Sequence, residues 1–213
     1  YREADKVFCV SNYLYRNLLT TGFHIKSVSI IGNLISDFGV PENWENINKN
    51  GRIMFVAGHV QDKDLPTLFA VSKRLSSQLT IDIFGLTGEE PLGGKRLKEY
   101  AGDNIVFKGK ISHNDLLIQY SAYSLLLSTS VSETFGLSVA EAIAHGTPVV
   151  CTDSGGIRDF VTNENGIIVN IKDIDAIVNA IDKTLHHHYD YKLMSLTCLA
   201  KFGKEKYCEN IKK

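Results

Sequence analysis

The stretch Glu133-Thr134-Phe135-Gly136-Leu137-Ser138-Val139-Ala140-Glu141, with His145-Gly146-Thr147-Pro148-Val149-Val150 close behind, decides how the rest of this chain is read. It sets two carboxylates with seven residues between them around a glycine turn that opens a helix. Along one continuous helix that separation is roughly a 12 Å rise and about 80° of rotation, too far for the pair to share one proton or one metal ion. If Glu133 precedes the helix and Glu141 lies two turns inside it, both can face one elongated ligand. Gly136 lets the backbone approach that ligand, and the free N–H groups of the first helical turn suit an anion. A ligand with hydroxyl-rich ends and a negative middle fits this description, as a nucleotide sugar does.

Working outward, short apolar runs recur at residues 53–57, 80–84, 105–107, 124–127, 149–151 and 167–169. Segments of helical spacing separate them at 65–75, 95–100, 115–122 and 137–144, with a short one after Gly156. Strand and helix alternating at this pace predict βαβ units and a doubly wound parallel sheet of the α/β class. Ligands of such sheets lie beyond the carboxyl ends of the strands. The loops at Gly58, Gly85, Gly109, 128–133 and 153–156 are expected to gather there. Ahead of this block, residues 6–10 read as a strand, Ser11 as an N-cap, a helix to about Thr21 ended by Gly22, and 27–31 as a second strand. Residues 33–51, with Pro41 and four asparagines after it, read as a linker, and 173–213 as two or three helices.

A formal charge of -1 over 213 residues argues against a dedicated nucleic-acid or anionic-membrane surface. No apolar run approaches the ~20 residues that span a bilayer, and no signal-peptide pattern is present. The start at Tyr1 rather than Met is the start expected of a piece of a longer protein. Cys9, Cys151, Cys198 and Cys208 form no C-x-x-C pair and read as reduced thiols of a cytoplasmic protein, two disulfides being the alternative.

Several other residues could carry chemistry. His59 and Lys63 follow the first strand of the main block and could set cationic groups beside a phosphate, or be ordinary loop residues. Asp62 and Asp64 form a D-x-D of the kind that holds metals, yet Asp64 before Leu65-Pro66 reads as an N-cap. Gly109-Lys110-Ile111 could pair its backbone with a flat base; Ser112 caps the next helix, with Asp115 in its first turn. The glycines of Gly85-Leu86-Thr87-Gly88 and of Asp153-Ser154-Gly155-Gly156 could admit a ligand or simply make turns. His186-His187-His188 sits at a helix C-terminus, where consecutive side chains diverge too far to converge on one ion. No nucleophile triad or zinc-ligand spacing is present.

The run S-E-T-F-G-L-S-V-A-E-A-I-A-H-G-T-P-V-V at residues 132–150 resembles the signature of the retaining glycosyltransferase family 4, whose members have the two-domain GT-B fold. Residues 153–159 resemble that family's Gly-Gly loop, 106–111 its base-contacting strand and loop, 27–37 its interdomain segment and 202–213 its terminal helix. The resemblance covers nearly the whole chain. It implies a Rossmann-like C-terminal half of a GT-B fold, with residues 1–32 the remnant of the acceptor domain, 33–51 a linker, 52–185 the nucleotide-sugar-binding domain and 186–213 C-terminal helices. It also implies that Glu141 holds ribose hydroxyls and Glu133 the hydroxyls of the transferred sugar. Thr134, Phe135, Gly136 and Leu137 would border the sugar and diphosphate, Ile111 would meet the base through its main chain, and His59 with Lys63 would contact the diphosphate. Glu133 and Lys63 would be the catalytic residues, Lys63 easing departure of the leaving group without any metal or other cofactor. The donor would be a UDP- or GDP-sugar, and the hexosyl acceptor a glycan or lipid-linked molecule held by the absent domain. Bacterial surface polysaccharide is the expected context, with peripheral contact of the full-length enzyme at the inner membrane face.

Two departures stand out. His59 occupies the family's usual Arg position, four rather than five residues before the Lys, and Asp159 stands where Glu is common. Since acceptor binding and a catalytic histidine belong to the absent domain, this chain is expected to bind donor weakly and transfer little alone. Two rivals remain: a GT-B sugar-nucleotide epimerase, which would not be expected to carry this motif, and a doubly wound nucleotide-binding or regulatory module without catalysis. Residues 1–32, lacking their sheet, are expected to expose strand edges or pack on a neighbour.

Overall fold

In the computed structural model of the chain, described for residues 4–22, 27–45, 47–58, 60, 62–76 and 78–212, the strand pattern shows its cause directly. Strand β3 (Ile53–Val56) turns Ile53 and Phe55 to one apolar cluster and Met54 to another, as the period of two requires. Strands β8 (Leu125–Ser128) and β9 (Val149–Thr152) divide likewise, Leu125, Leu127 and Val150 on one side and Leu126, Val149 and Cys151 on the other. Strands apolar on both faces need helices on both faces. Helices α2 (Leu65–Ser72) and α5 (Ile174–His186) cover one, and α3 (His113–Tyr120), α4 (Leu137–Ala144) and α6 (Tyr191–Phe202) cover the other.

With β4 (Ile81–Phe84), β7 (Ile105–Gly109) and β10 (Gly166–Val169), the main sheet has six parallel strands in the order β10-β9-β8-β3-β4-β7. The chain leaves β3 toward β4 and β7, then returns to the other side of β3 and runs outward through β8, β9 and β10. The topological switch therefore lies between β3 and β8. Those two strands share only the pairs Ile53↔Leu125 and Met54↔Leu126, against four pairs between β3 and β4. They part early, and a crevice opens at their carboxyl ends.

Capping follows the sequence closely. Asp64, in a left-handed conformation (φ 43°), accepts from Thr67 N and from Thr67 Oγ1 at 2.6 Å, so this aspartate caps α2. Ser112 accepts from Asp115 N at the head of α3. The expected helix at 95–100 is absent. Pro91–Leu92 (β5) and Lys95–Arg96 (β6) form a small hairpin, followed by a 3-10 turn at Leu97–Glu99. Gly93 and Gly94 both take positive φ, the geometry of a tight two-residue hairpin loop, and that overrides the weak helical spacing. The short helical segment expected after Gly156 is a 3-10 turn at Gly156–Asp159. Of the three consecutive histidines only His186 is within α5; His187 is its C-cap and packs edge-on against Tyr189.

The N-terminal segment is a βαβ unit of β1 (Val7–Cys9), α1 (Asn12–Thr20) and β2 (Val28–Ile30), the strands forming a two-stranded parallel sheet. Cys9 is fully buried, whereas Phe8 and Ile30 are about two-fifths exposed, and among the described residues no further strand pairs with either edge. The described part of 33–51 holds no helix or strand, but it is strapped to the body. Buried Ile35 donates its N–H to Phe202 O at 2.9 Å, and Lys49 Nζ reaches Gly146 O and Thr147 Oγ1. The last helix, α7 (Lys204–Lys212), follows α6 directly. All four cysteines are free thiols, and among the described residues no helix is long and apolar enough to cross a membrane.

Candidate functional site

The two loops that leave the sheet at its switch point are sewn together. Val131 N donates to Asp62 O at 3.0 Å, and Thr129 Oγ1 donates to Lys63 O at 2.6 Å. This brings the loop after β3 beside the loop after β8 and sets Lys63 Nζ 2.6 Å from Glu133 Oε1. Ser130 Oγ donates to the same carboxylate oxygen at 2.9 Å. Both partners of the ion pair are largely shielded, with side-chain exposures of 16% and 18%. Asp62 meets the other loop through its backbone, and Asp64 is spent on its helix.

The backbone of Glu133 is pinned to the Gly-Gly loop. Its N–H donates to Ser154 O at 2.8 Å, and Gly156 N donates back to Glu133 O at 2.9 Å. Beyond it the chain turns at Gly136, φ 93°, into α4. Gly136 offers no side-chain oxygen to the first turn, so the N–H groups of Leu137 and Ser138 remain available at the helix start. A Cβ on Gly136 would stand 2.7 Å from Ile157 Cγ2, so glycine is required by space as well as by φ. Phe135 is buried, packed with Phe160 and Phe202 at ring centroid distances of 5.1 Å, which leaves its backbone as the part facing the cleft.

Glu141 sits one turn inside α4 rather than two, and it is nearly buried. Two residues absent from the sequence reading hold it: His113 Nε2 lies 2.7 Å from Oε1, and Tyr120 OH donates to Oε2 at 2.9 Å. Burial of Tyr120, reinforced by the charge of Glu141, raises its hydroxyl well above the usual range, so it stays a donor. His113 and Tyr120 are seven residues apart on one helix, two turns and therefore one face; that spacing was the available signal. Ser130 and Asn33 lie in segments that the sequence placed near the site, 128–133 and 27–37, but neither was singled out.

An open cleft of about 360 Å³ collects these groups: Asn33, Val56, Gly58, Lys63, His113, residues 133–138 and Glu141. It therefore unites Lys63, Glu133, Thr134, Phe135, Gly136, Leu137 and Glu141. Ile111, 40% exposed, lies two residues before α3 and is not among the described lining residues. His59 lies outside the described residues. Asp153 pairs with Arg158, which holds its carboxyl below the usual range. The arrangement offers a cation, two fixed carboxylates and first-turn amides along one groove, which suits a polyhydroxylated anion.

The chain is 30% identical over 206 residues to the GtfA subunit of the UDP-N-acetylglucosamine–peptide N-acetylglucosaminyltransferase of Streptococcus parasanguinis, covering 89% of this chain and 40% of the relative. It is 23% identical over 202 residues to an uncharacterized 41.2 kDa protein of the Klebsiella pneumoniae cps region, covering 90% and 55% respectively. The chain thus spans about half the length of these relatives. Among solved structures, the pneumococcal O-GlcNAc transferase GtfA in complex with UDP and GlcNAc superposes with a TM-score of 0.74 at 23% identity, over 98% of this chain and 44% of that one. Anabaena Alr3699/HepE in complex with UDP and glucose gives 0.78 at 16%, over 98% and 62%. At such identities the likeness is one of fold, that of GT-B glycosyltransferase domains. The family described as Glycosyl transferases group 1 matches residues 42–195, which include every described cleft residue except Asn33. By that match, well over half of its 213 residues, the chain belongs to the glycosyl transferases group 1 family.

Proposed function

We propose that this chain is the donor-binding part of a retaining, metal-independent hexosyltransferase of family 4, and that its cleft takes a nucleotide diphospho-sugar. The observation that carries the reading is the convergence of Lys63, Glu133 and Glu141 on one groove at the switch point of the sheet. Glu141, oriented by Tyr120 and His113, retains lone pairs for ribose hydroxyls, since each carboxylate oxygen can accept more than one hydrogen bond. A diphosphate beside Lys63 would compete with Glu133 for the ammonium and free that carboxylate for sugar hydroxyls. Lys63 and the first-turn amides of α4 would then neutralise charge as the nucleoside diphosphate departs. The UDP seen with structural neighbours makes UDP-sugars the first donors to try, with GDP-sugars second. Residues 1–32 would belong to the acceptor domain, whose remainder would hold the glycan or lipid-linked acceptor. The complete enzyme would work in the cytoplasm, in peripheral contact with the inner membrane face.

Calorimetric titration with UDP, GDP and their common sugar conjugates, with and without EDTA, tests this. One nucleotide is expected to bind, indifferent to EDTA, and Glu141→Ala should weaken it by about tenfold or more with an unchanged circular dichroism spectrum. Silence from every nucleotide, or Glu141→Ala altering stability while binding persists, would overturn the reading.

A further inference from the structure

Among the described residues, the N-terminal βαβ unit is hydrogen-bonded to the body at the backbone beside Glu133 and at Asp159. Ser11 is fully buried; its hydroxyl accepts from Leu14 N as the N-cap of α1 and donates to the carbonyl of Thr134, the residue after Glu133. Asn12 N donates to Asp159 Oδ2 at 2.7 Å and Asn12 Nδ2 donates to Oδ1 at 3.2 Å, so a carboxylate from the Gly-Gly loop caps the same helix from outside. Tyr13 lies flat against Gly155, where any Cβ would stand 2.8 Å from its ring. Gly155 in turn bridges to Glu133, whose N–H and carbonyl are bonded to Ser154 and Gly156. Ser11 therefore holds the backbone just after the glutamate, while Asn12 and Tyr13, the first residues of α1, hold the Gly-Gly loop that is bonded to it. Lys201 of α6 donates to the carbonyl of Asp159, which ties this loop to the C-terminal helices as well.

We infer that the first turn of α1 and Asp159 form a latch that sets the direction of the Glu133 carboxylate, making Asp159 and Ser11 positioning residues for the cleft. The charged carboxylate on an uncapped helical N–H is the strong member of this set, favoured by both charge assistance and the helix dipole. Glu141 is outside the latch. It is seated in α4 and held by Tyr120 and His113, so undocking α1 loosens the loop on which the Glu133 backbone is seated and leaves Glu141 in place. Docking of the N-terminal unit is thereby coupled to the sugar end of the cleft and not to its nucleoside end. That assignment of ends rests on the donor-binding reading above; the latch itself does not.

Amide hydrogen exchange by NMR on the 213-residue chain decides the latch without any ligand. In Asp159→Ala the amides of Glu133 and Gly156 should exchange about tenfold faster, with those of β3, β4 and β8 unchanged. Asp159→Asn, which keeps an oxygen for Asn12 N, should restore most of the protection. Unchanged protection at Glu133 and Gly156, or an equal loss across β3, β4 and β8, would overturn the latch. Calorimetry with UDP, UDP-glucose and UDP-N-acetylglucosamine then reads its consequence. Asp159→Ala should leave UDP affinity within about twofold and remove the added affinity of the sugar conjugate, with Asp159→Asn restoring it. Survival of that increment in Asp159→Ala would overturn the positioning role. Absence of nucleotide binding in the unaltered chain, with the exchange result as expected, would sink the donor-binding reading and leave the latch standing.

Discussion

Lys63 and Glu133 form an ion pair between the two loops of the switch point, at 2.6 Å and with less than a fifth of either side chain exposed. Shielding to that degree places the pair between an exposed ion pair, worth little, and a buried one that is costly to break singly. A double-mutant cycle with Lys63→Met and Glu133→Gln, read by urea denaturation, should give a coupling of about 1 kcal/mol. A coupling near zero would mean the pair adds nothing to the fold. Lys63→Met should also cost about tenfold or more in nucleoside diphosphate affinity, checked by calorimetry. At this scale the sequence was a partial guide. Glu133 and Glu141 were legible from their spacing around the glycine turn, and Lys63 from its place in the loop after the first strand, where a plain loop lysine was the alternative. His113, Tyr120 and Ser130 were not, because their role depends on which carboxylate the fold sets opposite them.

Among the elements, the turn into α4 carries the tightest steric demand in the cleft. Gly136→Ala meets both a positive φ and Ile157 Cγ2 at 2.7 Å, and should destabilise the chain by about 2 kcal/mol. Gly94→Ala, with φ 85° but open space around it, should cost about 1 kcal/mol or less. Thermal unfolding of the two variants checks the order. Reversal of that order would remove the steric part of the account. The same two glycines show where element reading works. Residues 137–144 combine apolar spacing with a glycine entry, and the helix forms over those residues. Residues 95–100 have similar spacing, but the Gly93-Gly94 turn ahead of them closes a hairpin first, and a single 3-10 turn is all that follows. Local turn geometry outranks a short hydrophobic period.

On the scale of the whole molecule, Lys49 joins the segment between the two units to the body. Its ammonium reaches Gly146 O and Thr147 Oγ1 and lies 4.6 Å from the Tyr191 ring centroid. Burial pulls its pKa down to about 7 from 10.5. With the folded value below the unfolded one, the unfolded chain binds the extra proton between those limits, so stability rises as pH climbs from about 7 toward 10.5 and is level below. Between pH 7 and 8.5 the gain should be about 2 kcal/mol, seen as a rise in urea midpoint. Lys49→Met should abolish that slope; a slope equal in both proteins would assign it to other groups. The N-terminal unit poses a second question of scale, since a two-stranded parallel sheet with exposed Phe8 and Ile30 is not a stable arrangement by itself. Its attachments include those of Ser11, Asn12 and Tyr13 to the loops around Glu133 and the packing of Val10 on the core.

By itself the sequence determined the α/β class, the strand and helix alternation, the capping by Ser11, Asp64 and Ser112, and the glutamate pair, because each rests on local periodicity or on a side chain bonding its own neighbouring backbone. Only the tertiary structure decided that the crevice lies between β3 and β8, that Lys63 reaches Glu133, that Tyr120 and His113 hold Glu141, and that Asp159 caps a helix 147 residues away. Those facts depend on strand order and on which loops the sheet brings to one edge. Strand order is set by long-range packing of two apolar faces, and no local pattern along the chain encodes it.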